Sequence, residues 1–281
     1  MNYSEGEIRD LKRRAVQIRA DILEMIPPGK AGHLGGSSSI ADVTAALYFK
    51  HMRVFDDPKD PRRDRLIFSK GHAVLAQYAC LAQLGYFDRK ELGLVKTLHG
   101  TLQGHPDMDK TPGIEAVTGS LGQGLSVSLG MALGLRLDGS ESRVYCVVGD
   151  GELDEGQIWE AAMAAAAFKV DNLLAILDRN NVQATDAIDK VLPNGNLAEK
   201  WAAFGWHVIE IDGHDFAQIL AALDEAKTVK GQPTMIIANT IKGKGFAFAE
   251  GKAQFHNAAM NEEQYAQALQ MVENMRREAE K

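Results

Sequence analysis

The chain has 281 residues, 45% of them hydrophobic and 25% charged, which is enough for one large α/β domain of ordinary globular composition. A formal net charge of −7 excludes a general attraction to polyanions, and the basic runs "LKRR" (11–14) and "PRRDR" (61–65) are mixed with acids or lie on polar helix faces, so no nucleic-acid interface is expected. No apolar run approaches the roughly 20 residues that span a bilayer, and the polar N-terminus lacks the apolar core of a signal peptide.

Residues 5–26 set Ile8, Leu11, Ala15, Ile18, Ile22 and Met25 three and four apart, on one helix face, and Pro27-Pro28-Gly29 stops that helix. The small-residue run "GKAGHLGGSSS" (29–39) reads as a loop. A helix near 40–50 follows, with Asp42 and Thr44 as polar interruptions. "RLIFS" (65–69) reads as a short buried strand, 72–84 as a helix and 88–98 as another short helix. Small residues at 119–124 open an apolar helix over 125–137. Then "RVYCVVGD" (143–150), a helix over 155–168 and "NLLAILD" (172–178) form a strand–helix–strand unit. "WHVIEID" (206–212), a helix over 215–229 capped by His214-Asp215, and "TMIIANT" (234–240) repeat it. A charged amphipathic helix over about 261–280 closes the chain. Cys80 and Cys146 sit in apolar runs without metal-ligand spacing, so buried thiols in a reducing, cytoplasmic setting are expected.

Apolar strands alternating with helices predict an α/β fold. A mostly parallel sheet should carry helices on both faces, as a single domain over 1–281. Ligands of such sheets bind beyond the carboxyl ends of the strands. Gly149-Asp150-Gly151 and Asp178-Arg179-Asn180-Asn181 both fall at that edge.

Asp150 has two readings. It can start a helical turn, as Asp often does, or it can offer a hard oxygen to a divalent ion. The flanking glycines let backbone N–H groups approach an anion closely. Mg²⁺ takes one or two protein oxygens and fills its remaining positions with phosphate and water. Asn180 offers a second oxygen, and the Val182 carbonyl a third. Glu152 and Asp154 suit the positive end of the following helix.

Further motifs narrow the choice. "AGHLGGSSSIADV" (31–43), "FSKGHAV" (68–74), "LQGHPD" (102–107), "VTGSLGQG" (117–124), "GDGELDEG" (149–156), "GWHVIEIDGHD" (205–215) and "TIKGKG" (240–245) occur in that order. Together they resemble the successive motifs of the transketolase diphosphate-binding domain, over about residues 10–260. The resemblance implies thiamine diphosphate as cofactor. Mg²⁺, for which Ca²⁺ or Mn²⁺ can substitute, would be held by Asp150, Asn180 and the Val182 carbonyl. His72, Gly151 and Asn180 would contact the diphosphate side, and Gly119, Ser120 and Leu121 would line the thiazolium or diphosphate.

His33, His105 and His256 resemble the family's active-site histidines, which orient donor hydroxyls and shuttle protons, with His256 also touching the cofactor. Glu155 and Glu160 match positions where acids meet across the dimer and couple paired active sites. Their spacing of five turns them roughly 140° apart on a helix. Three positions depart from the family: Leu34 replaces a common proline, Asn181 a common glycine, and Asn257 the glycine usual after His256. His51, His99 and His207 read as a helix end, a surface loop and a strand start.

The family's catalytic glutamate comes from a second, pyrimidine-binding domain. The expectation is therefore the N-terminal subunit of a split transketolase, assembled two-plus-two with a separate subunit that supplies that glutamate. The pair would move a two-carbon ketol unit from a ketose, such as a pentose phosphate, to an aldose. The alpha subunit of a 2-oxo acid dehydrogenase shares the Gly-Asp-Gly and Asn-Asn pattern, but His33, His72 and His105 with "GSLGQG" argue against it. A non-catalytic partner keeping the fold is opposed by the intact Asp150, Asn180 and histidines.

Overall fold

A computed structural model describes residues 3–281. α1 (Glu5–Met25) opens with a capping box in which Ser4 and Glu7 satisfy each other's backbone N–H. Its expected face, from Leu11 through Met25, is buried. The run 29–39 is only partly a loop. Leu34–Ser39 form α2, followed by α3 (Ala41–Ala46), which loosens into a π-turn over Leu47–His51. Gly and Ser are poor helix formers, but every residue of α2 is buried. A Cβ on Gly35 would stand 2.9 Å from the Phe255 carbonyl oxygen, so the small residues serve close packing and tertiary contacts override propensity.

The next elements are β1 (Arg65–Phe68), a 3₁₀ turn at Gly71–Ala73, α4 (Val74–Gln83), and a 3₁₀ turn at Arg89–Leu94 in place of the expected helix over 88–98. α5 (Gln123–Leu137), β2 (Val144–Gly149), α6 (Gly156–Ala167) and β3 (Leu173–Arg179) follow as anticipated. Two short helices, α7 (Ile188–Val191) and α8 (Leu197–Ala203), have no periodicity strong enough to announce them. α8 is pinned by Trp201, fully buried with Trp159 and Trp206 rings 5.2 and 5.0 Å away. β4 (His207–Asp212), α9 (Phe216–Thr228), β5 (Thr234–Asn239) and α10 (Glu262–Ala279) complete the chain. Asp215 alone caps α9, accepting from the Ala217 and Gln218 amides. His214 points elsewhere.

The sheet is parallel throughout, in the order β1-β2-β3-β5-β4. Alternate residues of each inner strand feed two cores. Tyr145 and Val147 of β2 pack with α1–α4 and α9, whereas Val144, Cys146 and Val148 pack with α5, α6 and α8. Both cysteines are buried, unpaired thiols. Among the described residues, no helix is long and apolar enough to cross a membrane.

Candidate active site

A crevice opens at the carboxyl edge of the sheet, where the exits of β1, β2, β3 and β5 converge. Lys70 and His72 reach it from β1, Gly149–Glu152 from β2, Asn180 and Val182–Ala184 from β3 and Lys242 from β5, with Gly36, Leu121 and His256 completing the wall. This is the edge at which parallel sheets bind ligands.

The turn-starting reading of Asp150 holds. It caps a 3₁₀ turn over Gly151–Asp154, and its carboxylate faces the crevice. One oxygen accepts from the Gly151 amide at 2.8 Å and the other from the Asn181 amide. Burial, with the charge of Asp178 behind it, pushes its carboxyl up to about 6. Asn181 holds a left-handed backbone, φ 61°, which Asn tolerates better than most non-glycine residues. This explains how Asn181 can stand where the resemblance leads one to expect glycine.

Glu152 corrects the sequence expectation. It is buried, accepting from Ser69 Oγ and from the Gly122 and Gly149 amides at 2.8 and 3.0 Å, and so it ties the β1 exit, the start of α5 and the end of β2 together. Asp154 is exposed and accepts from Gln183 Nε2 at 2.7 Å.

Beneath the crevice lies Asp178, fully buried. Its carboxylate accepts from Ser39 Oγ at 2.6 Å, from Asn180 Nδ2 at 3.1 Å, and from Lys70 Nζ and Thr240 Oγ1. Burial raises its carboxyl, but the Lys70 ammonium and these donors outweigh that and hold it below the usual range. A carboxylate can only accept, so the Asn180 amide must turn its nitrogen to Asp178. Its Oδ1 then faces the other way, where it accepts from the Val182 amide at 3.2 Å.

Lys242 donates to the Val182 and Gln183 carbonyls, at 2.7 and 3.2 Å, and its ammonium lies 3.0 Å from His256 Nδ1. Burial lowers its pKa to about 8. An ammonium has only donors, so His256 Nδ1 accepts and the ring's proton sits on Nε2. The Val182 carbonyl thus already accepts from the chain's own ammonium.

His33, His72, His105 and His256 form one cluster. Ring centroids lie 5.1 Å apart for His33–His72, 5.9 Å for His33–His105, 5.4 Å for His33–His256 and 4.7 Å for His72–His256. Burial is the first cause of a lowered pKa in all four, to about 3 for His33 and about 4 for His256. Each is therefore neutral at pH 7, able to donate from one nitrogen and accept at the other. Gly119, at φ 144°, lies under His105, whose ring a Cβ there would approach to 3.0 Å. Ser120 is exposed, and Leu121 lines the crevice.

Glu160 on α6 and Glu155 just before it stand outside the crevice, both exposed, and Glu155 makes no side-chain cap to that helix. Among the described residues no cluster of three or more His, Cys, Asp or Glu is arranged to hold a metal. One carboxylate, one amide oxygen and one carbonyl suit instead a cation that shares its shell with phosphate oxygens.

Lys70, Lys242 and Asp178 are site residues that the sequence motifs do not single out. The two lysines lie inside motifs already quoted, and each closely follows an apolar strand. That position places them at the same edge as Asp150 and is the signal that could identify them.

The class is therefore that of an α/β cofactor-binding domain, with cationic and anionic groups gathered at the carboxyl edge of a parallel sheet. The family described as transketolase, thiamine diphosphate binding domain, matches residues 11–275, and the chain belongs to it. Over 273 residues it is 46% identical to the 6-deoxy-6-sulfo-D-fructose transketolase subunit SqwG of Clostridium sp., covering 96% of this chain and 98% of the relative. It is 39% identical to an apulose-4-phosphate transketolase subunit from Phocaeicola vulgatus, covering 95% of each. The crystal structure of transketolase from Campylobacter jejuni superposes with a TM-score of 0.84 at 32% identity, covering 97% of this chain but 43% of that one. The chain thus spans less than half of the solved transketolases it matches and nearly all of the curated subunits. The family match goes against the dehydrogenase alternative.

Proposed function

We propose that this chain is the diphosphate- and metal-binding subunit of a two-subunit transketolase, which moves a two-carbon ketol unit from a ketose to an aldose. The observation that carries this reading is the convergence of Asp150, Asn180 and the Val182 carbonyl on one crevice beside four neutral histidines. The end-to-end match to relatives named as subunits supports a separate pyrimidine-binding partner, and we expect two copies of each in a cytoplasmic complex.

Asp150, Asn180 and Val182 would hold Mg²⁺, with Ca²⁺ or Mn²⁺ able to replace it. The buried Asp150 carboxyl, pushed up to about 6 by burial and the charge of Asp178, supports that fit, because a bound cation would offset that cost. Lys70, Lys242 and His72 would face the diphosphate with Gly151 beside them, and Gly119, Ser120 and Leu121 would border the ring. Thiamine diphosphate, when bound, would supply the nucleophilic carbon that ketol transfer needs. His33, His105 and His256, held neutral by burial, orient the sugar's hydroxyls and pass protons at its oxygens. Glu155 and Glu160 are exposed where a second copy can meet them.

The donor is taken to be an anionic ketose, most simply a pentose phosphate. The relatives' names add 6-deoxy-6-sulfofructose and apulose 4-phosphate as assay arms. Coexpression with the pyrimidine-binding partner, assayed on a panel of these ketoses, tests the proposal: ketol transfer should require both chains, thiamine diphosphate and a divalent ion. Asp150→Ala should abolish metal-dependent cofactor binding in calorimetry. Undiminished affinity in that variant would sink the metal assignment.

A further inference from the structure

Behind the crevice, on the far side of the segment that follows β5, lies a polar chain unrelated to the histidine cluster. Ile241 finds its acceptor for the backbone N–H in His214 Nε2, at 3.0 Å, rather than in a backbone carbonyl. His214 Nδ1 lies 2.8 Å from Asp42 Oδ2. Arg19 grips both oxygens of Asp42, at 2.9 and 2.7 Å, and also donates to the Ser38 and Lys244 carbonyls at 3.2 and 3.1 Å.

The donors and acceptors fix the direction of this chain. Ile241 N–H can only donate, so Nε2 must be unprotonated, and the ring's proton sits on Nδ1, pointing at Asp42. The guanidinium keeps that carboxylate charged and in place. Burying Arg19 and Asp42 costs desolvation that an apolar pair would avoid. What the pair supplies is geometry.

That geometry is delivered to three consecutive residues. The Thr240 hydroxyl is held by Asp178, the Ile241 amide by His214, and the Lys242 ammonium by the Val182 carbonyl. Lys242 Nζ is the one of these groups that lines the crevice. We propose that Arg19, Asp42 and His214 form a positioning relay that sets Lys242 against the β3 exit from outside the active site. The proposal rests on the reading of the crevice as a diphosphate site only for its effect on cofactor affinity.

A cleft lined by Lys12, Lys244, Phe216 and Met275 opens beside His214, so a small molecule can reach the space a truncated side chain would leave. This permits chemical rescue. Lys242 acylation by a pulse of acetic anhydride, read by mass spectrometry, and hydrogen exchange at Ile241 would be compared in the full chain and in its His214→Ala, His214→Gln and Asp42→Asn variants.

His214→Ala should raise Lys242 labelling and speed Ile241 exchange about tenfold, the scale of one lost hydrogen bond. The His214→Gln amide, which can accept from Ile241 and donate to Asp42, should restore both, as should added imidazole in His214→Ala. In the assembled enzyme the Kd for thiamine diphosphate with Mg²⁺ should rise by a similar factor, with kcat at saturating cofactor little changed. A lower Tm with Lys242 labelling and Ile241 exchange unchanged would overturn the relay. Labelling that rises while cofactor affinity holds would leave the relay standing and overturn the diphosphate reading. Should His214→Ala not fold, Asp42→Asn, which keeps the shape and removes the charge that fixes the tautomer, is read in the same way.

Discussion

Asn181 carries two duties at one position. Its backbone is left-handed, and its amide donates to Asp150. Glycine adopts that conformation freely, whereas a β-branched side chain is strained there by about 1–2 kcal/mol. Asn181→Gly should therefore keep Tm and cofactor affinity close to those of the parent chain. Asn181→Val should lower stability by that amount in urea unfolding and weaken metal-dependent cofactor binding with it. Equal behaviour of the two variants would show that the backbone at this turn is not what holds Asp150. Asp150 itself is legible from sequence because glycines flank it at a strand end. Lys242 is not, because the groups it holds are two carbonyls about sixty positions away in sequence, and no periodicity encodes such a pairing.

Among the elements, the glycines that open α5 do different work from those inside it. The small residues of "GSLGQG" can serve close packing, and Gly124 is put to that use. A Cβ on Gly124 would stand 2.5 Å from Ser69 Cα, so Gly124 is where α5 meets the β1 exit. Gly130, farther along, has open space around it. Gly124→Ala should cost about 1–3 kcal/mol through overpacking, and Gly130→Ala should gain about 0.5–1 kcal/mol through helix propensity. Denaturant midpoints of the two variants should move in opposite directions. The sheet strands and long helices are readable because their periodicities are strong. α2 is not, since its Gly and Ser favour a helix only once they are packed against Phe255 and Lys242. α8 escapes notice for a similar reason, being anchored by the Trp201 ring.

For the molecule as a whole, stability should depend on acid in a direction set by buried histidines. His51 lies outside the crevice and packs edge-on against Tyr145, with ring centroids 5.7 Å apart. Burial, then the charges of Lys227 and Arg143, lowers its pKa to about 3. The unfolded chain's histidines titrate near 6.5. Between those values the unfolded state binds the extra proton, so the stabilisation is complete above about pH 6.5 and is lost as pH falls toward 3. His51→Phe should flatten the slope of Tm against pH in that window, and an unchanged slope would show that His51 does not set it.

β5 pairs on one side with β3 and on the other with β4. The last strand of the sheet to be made is thus the one that joins its two parts. As the chain leaves the ribosome, β1, β2 and β3 can align in turn, but β4 emerges with no sheet neighbour to receive it. Only after residue 239 can β4 dock. Only three residues later does Lys242, the last of the strand-exit groups lining the crevice, exist at all. The pocket is therefore completed late in synthesis, and a nascent chain has no finished crevice until His256, beyond all five strands, has been translated.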